Sequence, residues 1–197
     1  KALAADDNHA HDSKGGKDHA HGRHDPHAWQ DVANVKVYIA NIRDALVAAL
    51  AAGRAQYEAA AANYLAALDT LDAEIKAAFA SIPKERRKVI THHDAFAYYG
   101  DAYGVTFLAP QGVTGESEPS AGALARLIRQ IKRDKIKAVF VENLSNDRLV
   151  DRIVKETGAR IGGRLYSDAL SAAGGPASTY LDMMRHNTRL IVDALND

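Results

Sequence analysis

The chain has 197 residues, 47% of them apolar, which is enough for one generous domain or one domain plus part of another. Its 25 basic side chains are balanced by 25 acidic ones, so no field of one sign draws it to nucleic acid or to an anionic membrane surface. Cysteine is absent, which excludes disulfides, thiolate nucleophiles and Cys-type zinc sites and leaves any metal to nitrogen and oxygen ligands.

Residues 1–24 string His9, His11, His19, His21 and His24 through Asp, Lys and Gly, and His27 follows directly. A tract this polar has no core to pack into, so it reads as a flexible loop whose imidazoles offer weak accessory metal sites. Asp25-Pro26 predicts the start of a helix. Its apolar residues Trp29, Val32, Val35, Ile39, Ile42, Leu46 and Leu50 keep the spacing of one buried face until Gly53. A second helix is predicted over 54–81, with Tyr57, Ala61, Tyr64, Leu68, Leu71, Ile75, Ala78 and Ile82 as its seam. At 1.5 Å per residue it reaches roughly 42 Å, long enough to brace two lobes. A surface helix lying along one seam explains the same pattern equally well.

Beyond Pro83 the rhythm changes. Strands are predicted at 89–91, 105–108, 138–141 and 160–166, and helices over 94–103, from Pro119, after a cap at Ser145, and from Pro176. Gly104 and Gly158 close two of those helices. Gly162-Gly163 alone is too weak a signal for a nucleotide site, and no apolar run approaches the length of a membrane span. The fold class expected is α/β: a long helical segment followed by a parallel four-stranded sheet with helices on both faces.

In an open parallel sheet ligands bind beyond the carboxyl ends of the strands. Those ends are Thr91-His92-His93-Asp94, Ala109-Pro110-Gln111-Gly112, Glu142-Asn143 and Ser167-Asp168. With His27 they supply the nitrogen and oxygen donors of a four-coordinate zinc site. Each has a plainer reading. His92 and His93 are adjacent, so a persisting pleat points them apart and one at most is a ligand. Asp94 and Asp168 suit capping, Glu142 an ordinary strand end, and His27 packing beside Trp29.

Taken in order, Asp25-Pro26-His27-Ala28-Trp29, the long helical stretch, His93-Asp94-Ala95-Phe96-Ala97-Tyr98, Glu118-Pro119-Ser120 and Phe140-Val141-Glu142 resemble the zinc and manganese solute-binding proteins of ABC importers, the ZnuA-like or TroA-like cluster. The resemblance implies His27, His93 and Asp168 as metal ligands, with His92 a bystander. Manganese-type members tend to carry Glu where this chain has His93, so zinc is the implied cargo. It implies a division into a His-rich loop (1–24), a helical segment with a long interlobe helix (25–83) and a C-terminal α/β lobe (84–197). The family's N-terminal lobe, with its further histidine ligand, is expected to be absent from this chain. The implied partners are that lobe, an ABC permease in the membrane and a periplasmic zinc metallochaperone. The implied location is periplasmic, or extracellular and membrane-anchored.

Three functions follow from these residues. Zinc capture for an importer involves no catalysis. A zinc-dependent hydrolase would use the same three ligands, with Glu142 as general base. A structural protein with a zinc-buffering tail would need no ordered site. Because histidine binds metal only when deprotonated, capture is expected to weaken as pH falls through roughly 6.5.

Overall fold

Alternation within the strands decides how the layers form. In β3 (Ala138–Glu142) every residue is buried: Ala138 and Phe140 face one core, Val139 and Val141 the other. A strand covered on both faces reads as an unbroken apolar run, which is why this one is legible in the sequence. β1 (Lys88–Ile90) splits the same way, with Val89 on one face and Ile90 on the other. With β2 (Thr106–Leu108) and β4 (Arg160–Leu165) these form a parallel sheet in the order β2-β1-β3-β4. The coordinates are a computed structural model and describe residues 25–112, 119–143 and 148–196. His9, His11, His19, His21, His24, Glu118 and the predicted cap Ser145 lie outside the described residues.

One face is covered by α4 (Ala121–Asp134), through Leu124, Leu127, Ile128 and Ile131, and by α5 (Arg148–Thr157), through Val150 and Ile153. The other is covered by α2 (Arg54–Phe79), α3 (Ala97–Tyr103) and α6 (Tyr180–Asn196), whose Phe79, Tyr99, Met184 and Ile191 share one core with Phe140. The α/β class and the helices on both faces are as predicted.

The differences have local causes. The first helix, α1 (Val32–Ala49), begins seven residues after Asp25, behind a short 3-10 turn at Ala28–Gln30. Asp25 is engaged by His27, and Asp31 is the true cap, its Oδ1 accepting the Ala33 N–H at 2.8 Å. α3 starts at Ala97 rather than Asp94, because Ala95 and Phe96 are drawn fully into the core. α6 starts at Tyr180 rather than Pro176, where the Thr179 hydroxyl accepts the Asp182 N–H at 3.2 Å.

The predicted buried stripe of α1 also divides. Val32 and Val35 are buried, but Ile42 is 55% and Leu50 57% exposed. The second half of α1 and the first half of α2 pack chiefly on each other as an arm, leaving an apolar edge of Val37, Tyr38, Ile42, Leu46 and Leu50 open. From Leu68 to Phe79, α2 is part of the main core.

Gly162-Gly163 proves to be a packing device. The register of β4 against β3 jumps there, Val139 facing Ile161 and Phe140 facing Gly163, so Gly162 is the extra residue of a bulge. A Cβ on Gly162 would lie 2.5 Å from the Phe140 ring, and Gly163 sits at φ 130°. Only glycine suits both positions.

Candidate metal centre

The strand order places an opening between β1 and β3. The chain leaves β1 towards β2 on one side and returns to β3 on the other, so the connections diverge at the carboxyl ends and leave a crevice. His93 follows β1, Glu142 ends β3, and Asp168 follows β4. His27 comes from the segment ahead of α1, which is tied to the rim by side chains. Trp29 Nε1 donates to the Ser167 carbonyl at 3.1 Å, and the Tyr180 hydroxyl donates to the Trp29 carbonyl at 2.9 Å.

Two histidines and three carboxylates interlock here. Asp25 Oδ1 accepts both the His27 N–H, at 2.9 Å, and its ring Nδ1–H, at 2.7 Å. Glu142, 1% exposed, accepts the N–H groups of His92 and His93 on Oε1 at 2.8 and 3.1 Å. Its Oε2 takes His93 Nδ1 and the Ser167 hydroxyl, each at 2.7 Å. Both rings thereby turn Nε2 to one point. Asp168 meets them there, Oδ1 at 3.1 Å from His27 Nε2 and Oδ2 at 3.2 Å from His93 Nε2.

His27, His93 and Asp168 each offer one ligand atom, and these atoms lie within 4.8 Å of one another. A metal-ligating imidazole whose other nitrogen is held by a carboxylate has its orientation and tautomer set and its basicity raised. Here both rings have that support. His92 instead lines a separate cleft with Gln111, Leu124 and Leu149. The structure thus brings together the three residues singled out from the sequence and leaves His92 aside.

Asp25 and Glu142 have functions that the sequence does not assign. From sequence Asp25 reads as a helix start, although its spacing of two from His27 permits the bond it makes. Glu142 is the candidate base of a hydrolase, yet both its oxygens are engaged in orienting His92, His93 and Ser167.

The charges are strongly coupled. For His93, burial alone would lower the pKa, but hydrogen bonds to Asp168 and Glu142 outweigh it and raise it from 6.5 to about 10. Burial opposes His27 too, yet its bonds to Asp168 and Asp25 raise it. Asp168 is lowered well below 3.8, first by its bonds to His27 and His93. A metal ion must displace the Nε2 protons, so capture should strengthen up to about pH 10 rather than level off above 6.5. The sequence-based window is therefore set too low. Without metal the signs reverse: the His93 contribution to stability is complete below 6.5 and is lost as pH rises to about 10. The Asp168 contribution is present above 3.8 and is lost on acidification. The thermal stabilisation given by zinc should therefore widen from pH 6 to pH 9, measured as the difference in Tm with and without metal; a constant difference would contradict this coupling.

This fold recurs among known metal-binding proteins. The chain is 36% identical over 172 residues to the manganese-binding lipoprotein MntA of Halalkalibacterium halodurans, covering 87% of this chain and 57% of that protein. It is 35% identical over 176 residues to the zinc-binding protein TroA of Treponema pallidum, again covering 57% of its length. The solved structure of the T. pallidum protein superposes with a TM-score of 0.83 at 34% identity, over 87% of this chain and 64% of that one. A manganese-bound mutant of a periplasmic metal-binding protein from Candidatus Liberibacter asiaticus gives 0.81 at 32% identity, over 93% and 68%. The chain thus spans somewhat over half the length of these curated relatives. Their names are those of binding proteins, and they divide between zinc and manganese. The family described as ZnuA, zinc-uptake complex component A periplasmic, matches residues 1–194, and the chain belongs to it.

Proposed function

We propose that this chain captures zinc for an ABC-type importer, as part of its extracytoplasmic solute-binding protein, and passes the ion to the membrane permease. The observation that carries this is the cluster of His27, His93 and Asp168 with ligand atoms within 4.8 Å, both rings braced by carboxylates. The relatives' names do not choose between metals, so the cargo is argued from the donors. Two imidazoles to one carboxylate form a nitrogen-rich set, which suits four-coordinate zinc better than manganese with its preference for oxygen. Relatives named as lipoproteins support a membrane-anchored location outside the cytoplasm.

The fourth ligand belongs to a second lobe seated against the arm, on the open apolar edge of α1. The histidines at 9–24 gather metal and hand it to the site. Ion transfer here is ligand exchange: protons leave both Nε2 atoms as zinc arrives, and return as it departs. The hydrolase reading loses support because Glu142 is engaged and the family consists of binding proteins.

Zinc titration of the intact protein, with and without residues 1–24, tests this proposal. The tight, equimolar site should survive the deletion while weaker binding disappears. Loss of all zinc binding would favour the buffering tail instead.

A further inference from the structure

Ser167 stands where two carboxylates of the site meet. Its hydroxyl oxygen is 2.7 Å from Glu142 Oε2 and 3.2 Å from Asp168 Oδ2, and the residue is buried. One hydroxyl hydrogen serves one of these acceptors at a time, and the shorter contact gives it to Glu142 here. The two acceptors differ in what else holds them. If Ser167 turned away, Glu142 would keep the N–H groups of His92 and His93 and the His93 Nδ1–H. Asp168 Oδ2 has His93 Nε2 at 3.2 Å, and a metal ion on Nε2 replaces the hydrogen of that contact.

We propose that Ser167 sets how Asp168 coordinates the metal. When the ion binds, the Ser167 hydroxyl turns from Glu142 to Asp168 Oδ2 and holds that oxygen off the ion, so that Asp168 coordinates through Oδ1 alone. The Ser167 backbone is pinned for this purpose. Trp29 Nε1 and Gln30 Nε2 donate to its carbonyl at 3.1 and 3.4 Å, and its own N–H donates to Asn143 Oδ1 at 3.4 Å. Only the side chain is left to turn. A one-oxygen carboxylate keeps the coordination number at the four that zinc takes, whereas a two-oxygen carboxylate raises it towards the oxygen-rich shell that manganese prefers. Ser167 is thus a positioning residue that acts on metal choice through Asp168. This rests on the zinc-capture reading above.

The test compares wild type, Ser167→Ala and Ser167→Thr in the intact protein, by competition titration with Zn2+ and Mn2+ and by the visible absorption of the Co2+ complex. Ser167→Ala should lower the ratio of zinc to manganese association constants about tenfold, the lower end of the effect of removing a partner of a metal ligand. It should also weaken the cobalt bands, as the coordination number rises above four. Ser167→Thr, which keeps the hydroxyl, should restore both. An equal loss for the two metals with an unchanged cobalt spectrum would overturn the proposal, and so would a Thr variant that behaves as Ala. Absence of tight zinc binding by the wild type would instead overturn the zinc-capture reading itself, and the wild-type titration separates the two failures.

Discussion

Replacing His93 by alanine in the intact protein is expected to weaken zinc binding by on the order of a hundred- to a thousandfold. Zinc sites with four protein ligands bind with about 10–16 kcal/mol, so one ligand accounts for roughly 3–4 kcal/mol, and about 1.4 kcal/mol is tenfold. His93 is central to the cluster, since its Nε2 lies 3.2 Å from Asp168 and its Nδ1 is held by Glu142 at 2.7 Å. His92→Ala is the matched control. That ring lines another cleft and should leave zinc affinity within a few-fold of wild type, although the two histidines are neighbours in the chain. Isothermal titration with a competing chelator measures both. Equal effects from the two substitutions would mean that the site is assigned to the wrong histidine.

The largest effect on stability should come from Arg87→Met. Arg87 is buried and donates three hydrogen bonds to main-chain carbonyls: Nη2 to Phe79 at 2.7 Å, Nε to Ile82 at 2.8 Å and Nη1 to Tyr103 at 3.1 Å. Phe79 ends α2 and Tyr103 ends α3, so the cation answers carbonyls at two helix C-termini, the Phe79 carbonyl also accepting the Ile82 N–H at 3.1 Å. Its guanidinium carbon also lies 5.7 Å from the centre of the Phe79 ring. Methionine fills the space but leaves the Ile82 and Tyr103 carbonyls without this donor, while the Phe79 carbonyl keeps the Ile82 N–H, at a cost of about 2–6 kcal/mol. Against a domain stability of about 5–15 kcal/mol this is a large share, readable as a fall in the urea midpoint. Lysine should recover only part of it, because a point charge cannot reach three carbonyls in different directions. Zinc affinity of the folded variant should stay unchanged, since Arg87 lies at the opposite end of β1 from His93. A midpoint within error of wild type would show that these bonds contribute nothing net.

Some of this is legible in the sequence because the signals are local. The strand at 138–142 is apolar up to its last residue, α4 repeats Leu124, Leu127, Ile128 and Ile131 at helical spacing, and the alternation of strands with helices requires a parallel sheet. Element starts are less legible where one side chain has two uses. Asp25 suits a helix cap in any sequence, but here it is bonded to His27, and the cap falls to Asp31. The open half of α1 carries the same apolar spacing as its buried half, because periodicity records which face is apolar and not what covers it.

By itself, the sequence determined the α/β class and the donor types left to a metal once cysteine is excluded; His27, His93 and Asp168 came as ligands from the family resemblance. Only the tertiary structure decided that Asp25 and Glu142 hold the imidazoles, that the His92 ring lines a separate cleft, and that bonds to Asp168 and Glu142 raise the His93 pKa. The physical reason is range. Residue type and spacing set what a segment can form within a few positions. Ligand direction and proton affinity depend on groups such as Asp168 and His27, 141 positions apart, being brought within 3.1 Å by the packing of the whole sheet.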